Sequence, residues 1–279
     1  MHDSLNINGR LVFLRKPQVM GILNATPDSF FAESRTTTER AIAERTNRIV
    51  EEGGTMIDVG AFSTRPGAVE VPEREEMDRL RHALAVVRRE QPEVIVSVDT
   101  FRPDVARMAV EECGADMVND VSEGGITGIA GVPLHGDDEV PAMFRMVARL
   151  RVPYILTSVQ PDLRSTLLTF ARKVQQLRDL GQKDIILDAG FGFGKTLEAN
   201  YQLVRHLDKL RVLELPLLVG VSRKSMVYRL LETTPEEALN GTTALHMACL
   251  LKGASILRVH DVKAAAECCR IAETLNTLS

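Results

Sequence analysis

The sequence predicts a closed (β/α)8 barrel, and three of its features support this fold class. Eight short apolar runs rich in β-branched residues occur along the 279 residues, and each is followed by a segment with helical character. The runs show little alternation of polar and apolar residues, which is typical of parallel strands buried on both faces. No two runs could pair across a short hairpin turn, so helices must cross over between them. We therefore expect residues 1–279 to form a single (β/α)8, or TIM-barrel, domain.

The predicted elements alternate in a regular order along the chain. Strands are predicted at residues 18–25, 54–61, 94–100, 116–121, 152–159, 184–190, 216–225 and 255–261. Helices are predicted at residues 37–53, 72–89, 103–114, 140–151, 163–181, 197–210, 235–253 and 262–278. Acidic residues or prolines near several helix starts, and glycines or basic residues near several ends, support these assignments.

Two segments fall outside this repeat. Residues 1–16 contain the apolar run Leu11, Val12, Phe13 and Leu14, and we expect a short hairpin there that plugs the bottom of the barrel. Residues 123–138 are rich in glycine and acidic side chains and show no clear element, so they are interpreted as a long loop or an insertion.

Composition excludes several classes of function. The formal net charge is −4 and no segment is strongly basic, so nucleic acid is not an expected partner. The four cysteines form no CxxC pair, which favours buried thiols in a reducing cytosol over disulfides or a zinc site. The N-terminus lacks a signal-peptide pattern and no apolar run reaches about 18 residues, so we predict a cytoplasmic chain with no membrane partner.

Polar side chains stand at the C-terminal ends of seven of the eight predicted strands. They are Asn24, Asp58, Asp99, Asn119, Asp188, Ser222 with Lys224, and Arg258 with His260. Active sites of (β/α)8 barrels form at this end of the strands. One or two such residues could be structural, but a ring of them predicts a ligand site, because buried charges need partners.

The ring offers two kinds of chemistry. Asp99, Asn119 and Asp188 suit a flat heterocycle with adjacent N–H donors, because one carboxylate can accept two parallel hydrogen bonds. Hydrogen-bond donors that suit phosphate oxygens come from Asn24, Thr64, Arg65, Ser222, Lys224, Arg258 and His260. Asn24 could instead offer its carbonyl oxygen to Mg²⁺. Helix capping by either aspartate and a structural role for His260 remain open alternatives.

Residues 190–196, Gly-Phe-Gly-Phe-Gly-Lys-Thr, look superficially like the phosphate-binding loop of nucleotide hydrolases. That motif requires a glycine five positions before the glycine of Gly-Lys-Thr, and Ala189 occupies the position here. The two phenylalanines fit packing or ring stacking better than a phosphate cradle. Nucleotide hydrolysis is therefore not predicted.

Taken together, these residues resemble the dihydropteroate synthase family of folate biosynthesis. The similarity extends from about residue 19 to residue 261 and rests on several motifs that occur in the family's order. They are MGILNATPDSF at 20–30, IDVG at 57–60, STRPG at 63–67, SVDT at 97–100, VND at 118–120, the segment 188–195, SRKS at 222–225 and RVHD at 258–261. Several motifs in register are far more specific than any single one.

The resemblance implies a reaction and a set of roles. The reaction condenses 6-hydroxymethyl-7,8-dihydropterin diphosphate with p-aminobenzoate and releases pyrophosphate, with Mg²⁺ as cofactor. The implied pterin site is Asp99, Asn119, Asp188 and Lys224; the diphosphate site is Asn24, Arg258 and His260, with Asn24 as metal ligand; the p-aminobenzoate site is Phe30, Thr64, Arg65, Pro66 and Ser225. Lys224, Arg258 and Asp99 are the implied catalytic residues. A homodimer and inhibition by sulfonamides are implied as well.

The chain departs from the family pattern at its fifth predicted strand. The family has a Met-His-Met type run there, whereas this chain has Thr157, Ser158 and Val159, so a side chain that packs on the pterin face is missing. Ala189 stands where the family favours proline. Two alternatives therefore remain, a non-catalytic pterin-binding paralogue and the pterin-binding domain of a methyltransferase. The anion-binding residues favour the enzyme, because neither alternative needs a diphosphate site.

Overall fold

A computed structural model of the chain describes residues 4–25, 34–61, 71–125 and 140–277. Its strands are β1 (Ser4–Ile7), β2 (Arg10–Phe13), β3 (Gln18–Asn24), β4 (Met56–Gly60), β5 (Ile95–Asp99), β6 (Met117–Asp120), β7 (Tyr154–Thr157), β8 (Ile185–Asp188), β9 (Leu217–Val219) and β10 (Ile256–Val259). Its α-helices are α1 (Ser34–Glu51), α2 (Glu73–Glu90), α3 (Pro103–Glu111), α4 (Ala142–Leu150), α5 (Leu163–Asp179), α6 (Leu197–Arg205), α7 (Ser225–Tyr228), α8 (Leu239–Leu251) and α9 (Val262–Thr277). A 3-10 helix, Leu207–Leu213, follows α6.

Strands β3 to β10 close into a parallel barrel, which confirms the predicted fold class. Each strand pairs with the next in the chain, and β10 closes the barrel against β3, where Arg258 is the register partner of Met20. Because all eight strands run in the same direction, their C-terminal ends meet at one mouth. That mouth carries the predicted polar ring.

The hydrophobic core has two layers, as the continuous apolar runs of the strands require. Outward-facing strand residues pack beneath the helices in the larger layer; Gly21, for example, lies against Ile49 of α1, where an added Cβ would come within 2.6 Å of the isoleucine side chain. The inner layer fills the lower half of the barrel. It is formed by Met20, Met56, Ile95, Met117, Ile155, Ile186, Leu218 and Ile256.

The antiparallel hairpin β1–β2 closes the bottom of the barrel, as predicted. The side chains that it buries against the inner layer are Leu5, Ile7 and Leu14, with Val12 partly buried. Leu11 and Phe13, which the sequence analysis included in the apolar plug, are instead 59% and 54% exposed. Alternation along a two-stranded ribbon explains the difference, since neighbouring residues face opposite sides.

Several element boundaries differ from those predicted. The helix expected at 197–210 ends at Arg205 and continues as a 3-10 helix, and the helix expected at 235–253 begins only at Leu239. Helix α2 shows the expected charge distribution, with three glutamates in its first turn and Arg88 and Arg89 in its last. None of the helices in the described ranges is long and apolar enough to cross a membrane.

Candidate functional site

The polar ring follows from the same period-two pattern that builds the inner core. Two residues beyond each inner apolar side chain, a strand again faces the barrel interior. Six of the eight positions in this next layer carry polar or charged side chains, namely Asp58, Ser97, Asn119, Thr157, Asp188 and Arg258. Asp99 lies one layer higher. The sequence therefore changes from apolar to polar within one step along the barrel axis.

Arg258 holds two carboxylates together at the centre of this layer. Its Nε donates to Asp58 Oδ2 at 2.6 Å, and its Nη2 donates to Asp99 Oδ2 at 2.7 Å. Asn119 Nδ2 also donates to Asp58 Oδ2, at 2.9 Å. The cluster thus joins residues from β4, β5, β6 and β10, and it unites three of the predicted site residues with Asp58, which had been given no role.

Burial sets the charge states in this cluster. Burial raises the pKa of Asp99 to about 7, although the Arg258 guanidinium opposes the shift and Asp58 adds to it. Burial alone would lower the pKa of Arg258, but the carboxylates of Asp58 and Asp99 raise it above its usual range. Arg258 therefore stays charged, and Asp99, still 19% exposed, can take a proton near neutral pH.

Several atoms of this layer are buried without a hydrogen-bond partner in the described part of the chain. They are Asp58 Oδ1, Ser97 Oγ, Asn119 Oδ1 and Thr157 Oγ1. Buried polar atoms are seldom left unpaired, because the lost hydration is costly. Four such atoms at one level of the barrel indicate a place that is built for a polar ligand.

Lys224 and Asp188 form the second part of the site. Lys224 follows β9 at the N-terminus of α7; its Nζ donates to the carbonyl oxygen of Phe191 and lies 4.6 Å from the ring centroid of Phe193. Burial lowers the pKa of Lys224 to about 8, and attraction by Asp188 opposes this shift.

Asp188 ends β8 and faces the barrel interior. Burial raises its pKa, while Lys224 and a hydrogen bond from the backbone N–H of Gly190, at 2.9 Å to Oδ1, lower it. That bond shapes the loop after β8 and leaves carboxylate lone pairs for further donors. The alternative that Asp188 caps a helix is not observed, because Thr196 Oγ1 caps α6 by accepting from the N–H of Ala199.

Lys195, the lysine of the glycine-rich segment 190–196, connects two neighbouring strand ends through backbone hydrogen bonds. Lys195 Nζ donates to three backbone carbonyls, those of Gly190 at 2.9 Å, Phe193 at 3.2 Å and Ser158 at 3.3 Å. It therefore ties the loop after β8 to the end of β7, and burial lowers its pKa to about 8. Phe191 is fully buried, as expected of a packing residue.

The predicted anion-binding residues lie at the rim of the mouth. Asn24 is exposed at the end of β3. His260 Nδ1 and Ser222 Oγ are 3.1 Å apart, and the Ser222 hydroxyl oxygen also accepts from the His260 backbone N–H. Burial, with a smaller effect of Arg258, lowers the pKa of His260 to about 4, so the imidazole is neutral near pH 7 and can offer hydrogen bonds but no positive charge.

Most of the predicted p-aminobenzoate site lies outside the described residues. This applies to Phe30, Thr64, Arg65 and Pro66. Ser225, the fifth residue of that set, is partly buried in the first turn of α7, next to Lys224. Most of the long loop predicted at 123–138 also lies outside the described ranges, which include only its first three residues.

Two arginines bind the backbone at residues 61 and 71, which lie on either side of segment 62–70. Arg79 Nη1 donates to the carbonyl oxygen of Ala61, and Arg102 Nη1 donates to that of Val71. Arg102 is oriented by the buried carboxylate of Glu76, which accepts at 2.6 Å and also accepts from Thr100 Oγ1 at 2.7 Å. In the sequence, the only indication of this arrangement is Glu76, a glutamate on the buried face of α2.

Comparisons with known proteins agree with this geometry. A family model described as "Pterin binding enzyme" matches residues 20–260. A dihydropteroate synthase of Synechocystis sp. is 36% identical over 94% of this chain and 91% of that protein, and one of Escherichia coli is 36% identical over 95% and 94%. Among solved structures, Xanthomonas albilineans dihydropteroate synthase with 4-aminobenzoic acid is 34% identical, with a TM-score of 0.85 over 99% of both chains. The same enzyme in complex with 7,8-dihydropteroate gives 31% identity and a TM-score of 0.82 over 98% of both chains.

The fold and its polar mouth thus define a pterin-binding enzyme built on a (β/α)8 barrel. The chain belongs to the dihydropteroate synthase family, whose members are transferases of folate biosynthesis.

Proposed function

We propose that the chain joins 6-hydroxymethyl-7,8-dihydropterin diphosphate to p-aminobenzoate, giving 7,8-dihydropteroate and pyrophosphate. The observation that carries this proposal is the polar layer inside the barrel mouth, where four buried polar atoms lack partners in the described residues. Asn24 and His260 stand two residues further along the chain than this layer, at the end of β3 and just after β10, and therefore nearer the rim. A heterocycle bound in the layer would place a diphosphate substituent at the rim.

The pterin ring is assigned to the space between Asp188, Asn119 and Lys224. Asp188 accepts hydrogen bonds from adjacent N–H groups of the ring, since a carboxylate presents two oxygens in one plane. The unpartnered Oδ1 of Asn119 accepts a further donor, and Lys224 donates to a ring oxygen or nitrogen. Asp99 lies beside these groups and sets the position of Arg258.

The diphosphate is assigned to Asn24, Arg258 and His260. Arg258 is already oriented by Asp58, so its guanidinium can exchange the partly exposed Asp99 for a phosphate oxygen and keep its second anchor. Such a charge-assisted contact becomes stronger as the leaving group gains negative charge. Arg258 therefore contributes mainly in the transition state.

In the reaction, the bond between the pterin methylene carbon and the diphosphate oxygen breaks, and the oxygen leaves with the electron pair. The arylamine nitrogen forms the new C–N bond to the same carbon and then loses a proton. The electron-rich dihydropterin carries the positive charge that develops at the methylene. No strong general base is required, so the chain acts by orientation, by exclusion of water and by stabilising the leaving group.

The residues present fit a Mg²⁺ ion that is held largely by substrate. Asn24 offers an exposed amide oxygen at the rim, and the described residues contain no group of three His, Cys, Asp or Glu side chains placed to hold a metal. Mg²⁺ often takes only one or two protein ligands when phosphates and waters complete its shell. Bound there, it would neutralise charge on the diphosphate.

The p-aminobenzoate site is proposed to include Phe30, Thr64, Arg65, Pro66 and Ser225. Its support is the position of Ser225 beside Lys224 and the 4-aminobenzoic acid named in the Xanthomonas albilineans structure. Sulfonamides are proposed to compete at this site, in line with the Yersinia pestis enzyme solved in a sulfonamide drug complex. A cytoplasmic homodimer built from one-domain subunits completes the proposal.

Pyrophosphate release is the experiment that tests this function. The native chain, mixed with pterin diphosphate, p-aminobenzoate and Mg²⁺, should release pyrophosphate at a rate that depends on both substrates. Omitting p-aminobenzoate is the control for plain hydrolysis. If the chain binds pterin but releases no pyrophosphate, the synthase proposal is rejected in favour of a non-catalytic pterin-binding paralogue.

A further inference from the structure

The end of β7, where the chain departs from its family's sequence pattern, presents polar side chains to two opposite sides. Thr157 is two residues beyond Ile155 of the inner core and therefore faces the barrel interior. Ser158 faces the opposite side, toward α5, and Gln160 reaches the loop that follows β6. The two sides differ in how their hydrogen bonds are satisfied.

The groups outside the barrel interior are paired. Ser158 Oγ lies 3.1 Å from Thr166 Oγ1 of α5 and accepts from the backbone N–H of Gln160 at 3.3 Å. Gln160 Nε2 donates to Glu123 Oε2 at 2.8 Å. The protein itself thus provides partners for the outward-facing hydroxyl and the amide donor of this segment.

Thr157 has no such partner among the described residues. Its residue is fully buried, and its hydroxyl oxygen makes no hydrogen bond within the described ranges. A valine would fill the same volume without burying an unpaired hydroxyl, so folding alone does not account for a threonine at this position. A ligand that binds in the barrel mouth can provide the missing partner.

The neighbour of Thr157 indicates what that partner is. Thr157 and Asp188 are register partners on adjacent parallel strands, and both side chains face the interior. Such neighbours are about 4.8 Å apart. A ring edge whose N–H groups pair with Asp188 therefore brings its next polar atom within reach of the Thr157 hydroxyl.

We propose that Thr157 is a specificity-determining residue that hydrogen-bonds to the bound heterocycle beside Asp188. This inference rests on the proposed function and goes beyond it. A hydroxyl both donates and accepts, so it favours an amino-oxo heterocycle with a polar atom at that point of its edge. In this chain, a directional contact thus takes the place of apolar packing on the ring at the end of β7.

The test compares three variants in calorimetric binding of 6-hydroxymethyl-7,8-dihydropterin diphosphate. Thr157→Val keeps the shape and removes the hydroxyl, and it should weaken binding about tenfold, which corresponds to about 1.4 kcal/mol. Thr157→Ser keeps the hydroxyl and should stay within about threefold of native. Thr166→Val, the control, removes the outward partner of Ser158 and should leave affinity unchanged.

Thermal unfolding without ligand separates recognition from a structural role. Thr157→Val should leave the melting temperature unchanged or raise it, because it removes an unpaired buried hydroxyl. A lower melting temperature for Thr157→Val together with native affinity would show a structural threonine and overturn the proposal. Native-like affinity of Thr157→Val overturns it at any melting temperature.

The proposed function fails in a different way. If the native chain binds the pterin diphosphate but releases no pyrophosphate, synthesis is rejected while the Thr157→Val comparison still decides the role of the hydroxyl. If the native chain binds no pterin diphosphate, the assignment of Thr157 is rejected together with the pterin site.

Discussion

Lys224 is a cation whose charge depends on pH within the range of an ordinary assay. Burial lowers its pKa to about 8 in the free protein, so the ammonium loses its proton as the pH rises through that value. Only the charged form can donate all three of its N–H groups, which the proposed contact with the pterin uses. We therefore predict that kcat/KM falls above about pH 8, because this ratio reports the free enzyme.

The substitution Lys224→Arg tests whether Lys224 is the group whose titration lowers kcat/KM above about pH 8. Lys195 also has a pKa lowered to about 8, so the native profile alone does not identify the group. Lys224→Arg stays charged at all accessible pH values and should move this alkaline fall to higher pH, even if overall activity is lower. An unchanged alkaline fall of kcat/KM in Lys224→Arg would assign the titration to another group.

The lowered pKa of Lys224 also affects folding stability. Below pH 8 the buried ammonium disfavours folding, and this cost fades as the pH rises from 8 toward 10.5, the usual pKa of a lysine.

Arg258 binds two carboxylates, and we propose that it also stabilises the leaving group. Arg258→Ala should cost at least ~2 kcal/mol of transition-state stabilisation, because it removes charge-assisted bonds to the leaving group. It also leaves Asp58 and Asp99 without their cation, so stability falls as well. Arg258→Lys, which keeps the charge but not the forked geometry, should recover part of the stability and less of the rate.

The measurement for Arg258 is turnover across a range of both substrate concentrations, with melting temperatures alongside. Near-normal turnover of Arg258→Ala at every substrate level would reject the role in leaving-group stabilisation. A loss of stability alone, with kcat preserved, would limit Arg258 to organising the carboxylates.

Some residues of the site could be read from the sequence and others could not. Asp188 and Asn119 stand out as polar residues at the ends of apolar runs. Asp58 was equally visible inside Met-Ile-Asp-Val, but its partners Arg258 and Asn119 are distant in the chain, so its function as a shared acceptor required coordinates. Glu76 was likewise visible on the apolar face of α2, but its partners Thr100 and Arg102 could not be predicted from the sequence.

At the scale of elements, the loop between β8 and α6 depends on Gly190. Its φ is +68°, and an added Cβ would come 1.6 Å from the carbonyl oxygen of Ser158. Gly190→Ala should therefore move the end of β7 away from the loop and disturb the hydrogen bonds of Lys195 to Gly190 and Ser158. It should lower the free energy of unfolding by more than ~2 kcal/mol.

Gly181 provides the matched control for Gly190. It has a φ of +86°, but an added Cβ there meets nothing within 4 Å. Gly181→Ala should cost only the left-handed backbone strain, ~1 kcal/mol. Chemical denaturation of both variants measures the difference. Equal losses would mean that the close approach to Ser158 contributes nothing.

The order of strands and helices was predictable because each apolar run must be buried on both faces. The residues at which helices begin and end were less predictable. The helix predicted at 197–210 keeps its apolar periodicity past Arg205, yet the backbone tightens into a 3-10 helix there, because capping and packing rather than periodicity decide where a helix ends. Short helix α7 was not predicted, since four residues carry no detectable period.

At the scale of the whole molecule, the two ends of the barrel serve different purposes. The β1–β2 hairpin buries Leu5 and Ile7 against the inner apolar layer, far from the polar mouth. Leu5→Ala should lower the free energy of unfolding by about 2–5 kcal/mol and leave the KM for both substrates unchanged. Leu11→Ala, at a position that is 59% exposed on the same hairpin, is the control and should have little effect.

Unfolding curves and steady-state kinetics of these two hairpin variants test the separation. A changed KM in correctly folded Leu5→Ala would show that the bottom of the barrel communicates with the site. Similar losses in both variants would show that the hairpin is not anchored through its buried face.

The sequence was sufficient to predict the barrel, the hairpin that closes its bottom and the polar character of its mouth, since period-two alternation and strand-end polarity are local properties. The roles of the individual mouth residues stay predictions. The sequence was insufficient for the pairing within the mouth. Arg258, expected at the diphosphate, is bound to the carboxylates of Asp58 and Asp99, and His260 is hydrogen-bonded to Ser222. Such pairings depend on how the closed barrel sets the distances between strands.

The central claim is that edge recognition by Asp188 dominates pterin binding, while contacts at the end of β7 adjust it. Calorimetric binding of the pterin diphosphate, beside turnover, should be compared for the native chain, Asp188→Ala and Val159→Met. Asp188→Ala should lose most of its binding and turnover, because the ring donors are left without a buried acceptor. Val159→Met adds apolar contact worth ~1–3 kcal/mol and should bind about ten- to a hundredfold more tightly without changing the chemistry. If the native chain binds no pterin, or Asp188→Ala binds it as well as the native chain does, the account is contradicted.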